Sequence, residues 1–292
     1  VVSINSRRYG KGLLTYRYET MRRLTYTECR NIIMINQVGG SSDLVYDGTS
    51  GVMNKEGKVE LMMKSFEEDF SIFDSSVPHT EVVVPYTTYN DRTRMIYKAA
   101  CLGLRDFFHK SGYTKACGGL SGGIDSSVVA CLAVGALGAE NVRGLMMPSQ
   151  FSSNESVEDA KRLAENLGIE YSVLPINEVY TAIMDTLKPV TGGTEFDATE
   201  ENIQSRIRTG LLMALQNKSE NAIGWCTLYG DTAGAFSVTG DLYKSEVYDL
   251  ARYINLKFNN VIPENILKKE PSSELHPNQR DSDTLPPYEV VD

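Results

Sequence analysis

The sequence is poor in cysteine, and its cysteines do not form a recognisable site. Among 292 residues there are five, an odd number: Cys29, Cys101, Cys117, Cys131 and Cys226. No two are spaced C-x-x-C, so a zinc ribbon and a disulfide scaffold are both disfavoured. Three of them have apolar sequence neighbours, where a cysteine usually serves as a small buried hydrophobe. This usage predicts a reducing, cytoplasmic location.

Long apolar runs and an excess of basic charge are also missing. The longest weakly polar stretch, Ser126 to Ala139, is too short to span a bilayer. No apolar leader follows the opening residues, which already include Arg7 and Arg8. The sequence has 29 Lys and Arg against 38 Asp and Glu, a net charge of −9. Because a nucleic-acid binder needs a basic face, we expect neither a nucleic-acid nor a membrane partner.

The hydrophobic content of 41% is enough for a full core, and the length suggests about two domains. The first segment is β-rich. The apolar run from Asn31 to Asn36 predicts a buried strand, and two short runs around Lys55–Lys58 predict a hairpin. Arg17 to Arg23 predicts an exposed, charged helix. We assign residues 1–74 to this first domain and residues 75–91, which include Pro78 and Pro85, to a linker.

From Arg92 onward, helical and strand patterns alternate. Strands are predicted at 115–120, 142–147 and 169–174, and helices at 94–110, 126–137, 178–187 and 202–216. Ser156 is the expected N-cap of one further helix, which Gly168 ends. This succession predicts an α/β fold with a doubly wound parallel sheet and flanking helices over residues 92–292.

The first turn from strand to helix carries the strongest functional signal. Its residues are Leu120, Ser121, Gly122, Gly123, Ile124, Asp125, Ser126 and Ser127. The glycines let an anion approach the main chain, and the following helix offers unpaired N–H groups. Asp125 would repel a bare phosphate, but it suits a phosphate that carries Mg²⁺. The pattern is not a Walker P-loop, and a ligand-free glycine-serine turn is the alternative.

The S-G-G-I-D-S-S run resembles the pyrophosphate-binding loop of the ATP pyrophosphatase superfamily, whose members cleave ATP between its α- and β-phosphates. Later segments narrow the resemblance to the glutamine-dependent NAD⁺ synthetases. They are Thr199 to Arg208, Lys218 to Asp231, Thr239 to Lys244 and Lys269 to Leu275. The region from Ile35 to Ser50 is similar to the late part of a nitrilase-type (αββα) glutamine amidase. The implied synthetase fold is adenine nucleotide α-hydrolase-like.

The resemblance implies a role for individual residues. The loop from Leu120 to Ser127, with Lys244 and Ser272, would bind ATP. Asp125 and Glu220 would hold Mg²⁺. The residues implied for deamido-NAD⁺ are Asn202, Arg206, Glu220, Trp225, Cys226, Thr227 and Leu228. Taken singly, each also has an ordinary alternative: Arg206 as an i,i+4 surface partner, Trp225 as core, and Lys244 as a solvated lysine.

The implied reaction is amidation of deamido-NAD⁺ through an adenylate, with ammonia supplied from glutamine in the full-length enzyme. Ser6 and Lys11 are the candidate glutamine contacts. No catalytic residue is assignable, because the amidase cysteine of the family would precede Val1 and Cys29 lacks matching neighbours. This polypeptide is therefore expected not to hydrolyse glutamine. The resemblance also implies that the protein is a homo-oligomer and that the synthetase domain is truncated at its C-terminus.

One sheet strand is missing from the pattern before Lys218, and two other functions remain as alternatives. The helix from Asn202 runs into Lys218 without an intervening strand, so we expect about a dozen residues of the family to be absent there. The alternatives to NAD⁺ synthesis are another ATP pyrophosphatase, such as a GMP or asparagine synthetase, and a nucleotide-binding module without turnover.

Overall fold

The computed structural model describes residues 1–83, 89–191, 198–209, 237–276, 279–283 and 285–292. Their packing divides the chain into two units, Val1–Gly112 and Tyr113–Asp292. No helix within these described ranges is both long and apolar enough to cross a membrane. Residues 75–83 of the predicted linker contain one turn and neither helix nor strand, whereas its residues 89–91 already belong to a helix.

The first unit holds a mixed sheet of strand order β1-β2-β5-β6, a separate β3-β4 hairpin and two helices. The elements are β1 (Val2–Asn5), α1 (Leu13–Glu28), β2 (Ile32–Asn36), β3 (Val38–Ser41), β4 (Leu44–Asp47), β5 (Gly51–Met53), β6 (Val59–Met62) and α2 (Tyr89–Lys110). β1 runs parallel to β2, and the β2-β5 and β5-β6 pairs are antiparallel. The predicted strand and hairpin are confirmed.

Helix α2 packs within the first unit. Its side chains Met95, Ala99 and Leu102 join the apolar core beneath α1 and the mixed sheet. The Asp106 carboxylate accepts a hydrogen bond from the Gly40 backbone N–H at 2.6 Å, and the Lys110 ammonium donates to the Gly40 carbonyl. The boundaries of the two functional domains stay a prediction.

The prediction of an exposed helix at Arg17–Arg23 is correct about the helix but wrong about the exposure of Arg17. Helix α1 is longer, and Arg17 is buried rather than solvated. Its guanidinium lies 2.8 Å from the Asp47 carboxylate and also donates to the Gly48 carbonyl at 3.1 Å. Burial of this cation is tolerated because its charge and donors are matched.

The second unit begins with three parallel strands in the order β7-β8-β9. Its elements are β7 (Ala116–Gly119), α3 (Ile124–Leu137), β8 (Val142–Met146), α4 (Asn154–Leu167), β9 (Glu170–Val173), α5 (Asn177–Thr191), α6 (Ala198–Thr209), α7 (Lys244–Lys257), α8 (Glu264–Lys268) and α9 (Tyr288–Val291). The α/β class with a parallel sheet and flanking helices is confirmed.

One capping prediction is wrong. Helix α4 is capped by Ser153, whose hydroxyl accepts from the Ser156 backbone N–H at 3.1 Å. Ser156 therefore lies inside the first turn. Two serines three residues apart both fit a capping pattern, and the backbone takes the earlier one. Gly168 ends the helix in the left-handed conformation, as predicted. The helix predicted to end at Gln216 is described only as far as Thr209.

Helix α3 is the central element of the second unit. Its residues from Ser126 to Ala133 are all buried. Helix α7 packs against it and contributes four side chains that are fully buried: Val247, Leu250, Ala251 and Ile254. Because α3 begins at Ile124 and α7 at Lys244, this packing brings the first turns of both helices together.

Candidate nucleotide site

The turn between β7 and α3 is closed tightly against the start of α4. Gly122 has φ +80°, and a Cβ at this position would lie 2.1 Å from the Ser156 carbonyl oxygen. Only glycine fits, for both conformational and steric reasons. Leu120 is buried, and its N–H donates to the Leu145 carbonyl at 2.9 Å, which fixes the turn to the end of β8.

The hydroxyl groups of the turn are organised around Gly123. The Ser127 and Ser126 hydroxyls donate to the Gly123 carbonyl at 2.7 and 3.1 Å. The Ser121 and Ser126 oxygens lie 2.9 Å apart, and the Gly123 N–H donates to Ser121. Among the described residues no side chain caps the first turn of α3. A helix start of this kind is suited to an anion.

Lys244 and Asp125 form an ion pair at this helix start. The Lys244 ammonium lies 2.7 Å from Asp125 Oδ2, and its side chain is 3% exposed. The Asp125 side chain is 23% exposed. Lys244 is therefore not a solvated surface lysine. The pair places one cation and one potential metal ligand beside the turn, as an ATP·Mg²⁺ site requires.

The surroundings of Lys244 include residues that sequence reasoning missed. The Tyr288 ring centroid is 5.2 Å from the Lys244 ammonium, and the Tyr288 hydroxyl donates to Asp281 Oδ2 at 2.9 Å. Burial raises the pKa of Asp281, although the Tyr288 hydrogen bond and the nearby Lys244 charge oppose this. Burial also raises the pKa of Tyr248, one turn after Lys244. The only signal in the sequence is the Pro-Pro pair before Tyr288, which marks a helix start.

The start of α7 is completed by a carboxylate. Asp292 Oδ2 accepts from the Ser245 N–H at 2.8 Å, and Oδ1 accepts from the Lys244 N–H at 3.3 Å. A negative charge at this helix end is favourable. It fixes the backbone from which the Lys244 side chain extends.

Ser272 lies in a turn that is held by its own hydroxyl. This hydroxyl donates to the Gln279 carbonyl at 2.6 Å and accepts from the Glu274 N–H at 3.1 Å. The Asp281 N–H donates to the Pro271 carbonyl, which closes the turn. The structure thus places Ser272 in the same segment as Asp281.

Glu274 attaches this segment to the start of α4. Its carboxylate accepts from the Ser153 and Ser156 hydroxyls at 2.8 and 2.6 Å. The Ser156 hydroxyl also accepts from the Lys269 ammonium at 2.8 Å. Since the carbonyl of Ser156 lies against Gly122, the segment and the glycine turn meet at one helix end. Glu274 was part of a sequence signature but was not predicted as a site residue.

The predicted acceptor residues on α6 share one face of the helix. Asn202 and Arg206 are four residues apart and both exposed. Arg206 has no ion-pair partner among the described residues, so the alternative of a surface ion pair has no support there. Between them, Gln204 is fully buried and donates from Nε2 to the Leu275 carbonyl at 2.8 Å. This bond ties the acceptor helix to the segment that carries Ser272.

Several of the predicted site residues are not described by the structure. Glu220, Trp225, Cys226, Thr227 and Leu228 lie outside the described residues, as does the stretch where a strand was expected to be absent. In the described ranges no group of three His, Cys, Asp or Glu side chains could hold a metal. Asp125 alone nevertheless fits Mg²⁺, which commonly uses one or two carboxylates together with substrate phosphates.

The glutamine candidates belong to the first unit. Ser6 and Lys11 are both exposed, on either side of a bridge that pairs Arg8 with Tyr46. Their role stays a prediction.

Comparison with known proteins identifies the family to which this chain belongs. A family model described as NAD synthase matches residues 96–292. The chain belongs to the NAD synthase family. The synthetase resemblance drawn from the sequence signatures is therefore confirmed.

Individual relatives agree with this assignment. The glutamine-dependent NAD(+) synthetase of Aquifex aeolicus is 41% identical, over 100% of this chain and 59% of that protein. A glutamine-dependent NAD⁺ synthetase from Acinetobacter baumannii, solved with ADP, has a TM-score of 0.83 and 36% identity, covering 94% of this chain and 55% of its own. The NH3-dependent NAD synthetase of Campylobacter jejuni has a TM-score of 0.53 and 35% identity, over 61% and 77%.

The chain spans about three fifths of the length of the Aquifex relative. The alignment with that protein runs over 335 positions against 292 residues here, so at least 43 of its positions have no counterpart in this chain. The expected absence of about a dozen residues before Lys218 stays a prediction, because the alignment length does not locate these positions.

Proposed function

We propose that this chain carries the synthetase portion of a glutamine-dependent NAD⁺ synthetase, which converts deamido-NAD⁺ to NAD⁺ with ATP. The products are NAD⁺, AMP and pyrophosphate, and ammonia comes from glutamine in the longer protein. The observation that carries the proposal is the buried Lys244 paired with Asp125 at the uncapped start of α3. The ADP complex of the Acinetobacter relative supports an adenine nucleotide as the ligand.

In the first step the nicotinate carboxylate of deamido-NAD⁺ attacks the α-phosphorus of ATP. The bond from this phosphorus to the bridging oxygen breaks, and pyrophosphate leaves with the electron pair. Attack by one anion on another must overcome repulsion, so preorganised donors are the main catalytic requirement. The α3 N–H groups and the Lys244 ammonium meet it on the phosphate side.

Mg²⁺, held by Asp125 and by Glu220 as the resemblance implies, would neutralise phosphate charge when bound. Ser272 belongs to the same phosphate-binding set in this proposal. In the second step ammonia attacks the acyl carbon of the adenylate, AMP leaves, and a proton passes to solvent. No side-chain nucleophile is needed in either step.

The acceptor would lie along α6. Arg206 offers an exposed cation for the phosphates of deamido-NAD⁺, and Asn202 offers an amide one turn earlier. The segment Trp225, Cys226, Thr227 and Leu228 completes this side in the proposal. The bond from Gln204 to Leu275 supports a fixed spacing between the acceptor helix and the Ser272 segment.

The test is to incubate the chain with ATP, Mg²⁺, ammonium and deamido-NAD⁺ and to measure AMP and NAD⁺. We expect the two products in equal amounts, and no AMP when deamido-NAD⁺ is omitted. Binding of ATP without AMP formation would instead support a nucleotide-binding module. AMP formed only with another acceptor, such as xanthosine monophosphate or aspartate, would assign the chain to a different ATP pyrophosphatase group.

A further inference from the structure

The two residues that are proposed to serve ATP are bound to each other in this structure. Lys244 and Asp125 lie 2.7 Å apart. If Asp125 binds Mg²⁺ and Lys244 binds a phosphate, this pair must separate when the nucleotide enters. Lys244 then loses its closest counter-charge while it remains in a buried position. Other groups must keep a long, four-carbon side chain directed at the site.

Tyr288 is placed to do this. Its ring lies 5.2 Å from the Lys244 ammonium, within the range of a cation–π interaction. Such a contact is strongest where water is excluded, and the Lys244 side chain is only 3% exposed. The ring does not compete with a phosphate for the ammonium, because it approaches without a charge of its own.

Asp281 fixes the ring. It accepts the Tyr288 hydroxyl at 2.9 Å and is only 5% exposed. Its second oxygen, Oδ1, is buried and has no partner among the described residues. A buried carboxylate with an unpaired oxygen destabilises the fold, so its presence needs a reason. The ordering of Tyr288 under Lys244 supplies one.

We propose that Tyr288 and Asp281 are positioning residues for Lys244, and that they hold its ammonium toward the ATP phosphates after Asp125 has turned to Mg²⁺. The inference rests on the proposed function, since it assumes that ATP is the ligand. Neither residue needs to touch ATP in this account. Their effect should therefore depend on the presence of Lys244.

The decisive experiment is a double-mutant cycle on ATP affinity. ATP is titrated calorimetrically, with Mg²⁺ present, into the 292-residue chain and into the variants Tyr288→Leu, Lys244→Met and the double variant. We expect Tyr288→Leu to weaken ATP binding about tenfold in the parent chain, as loss of a desolvated cation–π contact would. In the Lys244→Met background the same change should weaken it less than twofold. An equal loss in both backgrounds, or none in the parent, would overturn the proposal.

Conservative variants separate positioning from folding. Tyr288→Phe keeps the ring and should lose about threefold, and Asp281→Asn keeps the acceptor for the Tyr288 hydroxyl and should lose less than twofold. Asp281→Ala should resemble Tyr288→Phe. Equal losses for Asp281→Asn and Asp281→Ala would mean that Asp281 does not act through Tyr288. The exposed residues Tyr113 and Asp185 provide the matched controls Tyr113→Leu and Asp185→Ala.

A second readout needs no nucleotide. Acylation of Lys244 by an amine-reactive reagent, measured by mass spectrometry against the exposed Lys161, should accelerate about tenfold in Tyr288→Leu and little in Tyr288→Phe. Unchanged reactivity in Tyr288→Leu would contradict the proposal. Failure of the amidation assay with ATP binding and this reactivity pattern intact would instead count against the proposed function alone.

Discussion

Among the described residues, each unit contains an ion pair whose cation is buried, and these two pairs differ in what surrounds the carboxylate. Arg17 lies 2.8 Å from Asp47, and Lys244 lies 2.7 Å from Asp125. Both cations are 3% exposed. The Asp47 side chain is 1% exposed, whereas that of Asp125 is 23% exposed.

Both carboxylate oxygens of Asp47 accept hydrogen bonds from neighbouring side chains. Besides Arg17, Oδ1 accepts from Asn36 Nδ2 at 3.3 Å, and Oδ2 accepts from the Thr49 hydroxyl at 3.0 Å. These bonds hold the turn after β4, and no ligand could reach the carboxylate without breaking them. Asp125 reaches solvent at a helix start suited to anions. We call Arg17–Asp47 the closed pair and Lys244–Asp125 the open pair. The closed pair holds the fold at this turn, and under the proposed function the open pair binds a ligand.

The largest effect should come from breaking the closed pair. Arg17→Met leaves Asp47 buried without its counter-charge, and we expect the free energy of unfolding of the first unit to fall by about 3–5 kcal/mol. Urea unfolding measures this. Arg23→Met, on the exposed face of the same helix, is the control and should change stability by under about 0.5 kcal/mol. A similar small change for Arg17→Met would remove the distinction between the two pairs.

The open pair should respond in the opposite way. Lys244→Met removes a cation from the proposed phosphate site, so the rate of AMP formation should fall about a hundredfold. Thermal stability should change little, because water can solvate the partly exposed Asp125. Lys257→Met, at the exposed end of the same helix, should leave the rate unchanged. Loss of folding in Lys244→Met with an unaffected rate per folded molecule would reverse the assignment.

The glycine turn offers a smaller and more local perturbation beside the open pair. Gly122→Ala must displace the turn, since its Cβ would collide with the Ser156 carbonyl in a left-handed conformation. A strain of about 1–2 kcal/mol corresponds to roughly tenfold in affinity. We expect ATP to bind about tenfold more weakly. Gly118→Ala, where a Cβ meets nothing within 4 Å, is the matched control. Equal affinities for the two variants would contradict this role of the turn.

The smallest expected effect is the pH dependence of stability that arises from the Asp281 carboxylate near Lys244. Burial raises the pKa of Asp281 above its ordinary value of 3.8, so the folded protein holds this proton more tightly than the unfolded chain does. The resulting stabilisation is complete below 3.8 and is lost as pH rises through the folded pKa. Asp281→Asn should therefore gain stability relative to the parent between pH 4 and pH 7.

The groups that act on Asp281 are known from the structure. Tyr288 and Lys244 lower its pKa, and Asp125 and Glu270 raise it. Thermal unfolding at several pH values measures the difference between parent and Asp281→Asn. The exposed Asp185→Asn should show no such trend. A difference that is constant with pH would show that Asp281 titrates as an ordinary exposed carboxyl group, and one that falls toward pH 7 would show that folding lowers its pKa.

Local patterns were enough to predict the glycine turn and helix α3 beside the open pair. The two glycines, the serines and the apolar run that follows them determine the turn and α3 within a dozen residues. Lys244 was recognised by resemblance, but its burial was not, because it depends on α7 packing against α3 more than a hundred residues away in sequence. The strands β7, β8 and β9 were placed to within about two residues for the same local reasons.

Non-local pairings account for the misjudged exposure of Arg17 and for the two residues missed near Lys244. Arg17 looked exposed because its neighbours are charged, and its partner Asp47 lies thirty residues later. Tyr288 and Asp281 went unnoticed because only the return of the chain to the start of α7 brings them to Lys244. The cap of α4 was misplaced for a local reason, since Ser153 and Ser156 both fit the pattern.

The central claim, that the open pair binds ATP with Mg²⁺, is tested most directly by the magnesium dependence of ATP affinity. ATP should be titrated into the parent chain and into Asp125→Asn, with Mg²⁺ and with a chelator. We expect Mg²⁺ to tighten ATP binding in the parent and this gain to shrink about tenfold in Asp125→Asn, while affinity in the chelator stays equal or improves. The same magnesium dependence in both proteins would contradict the account.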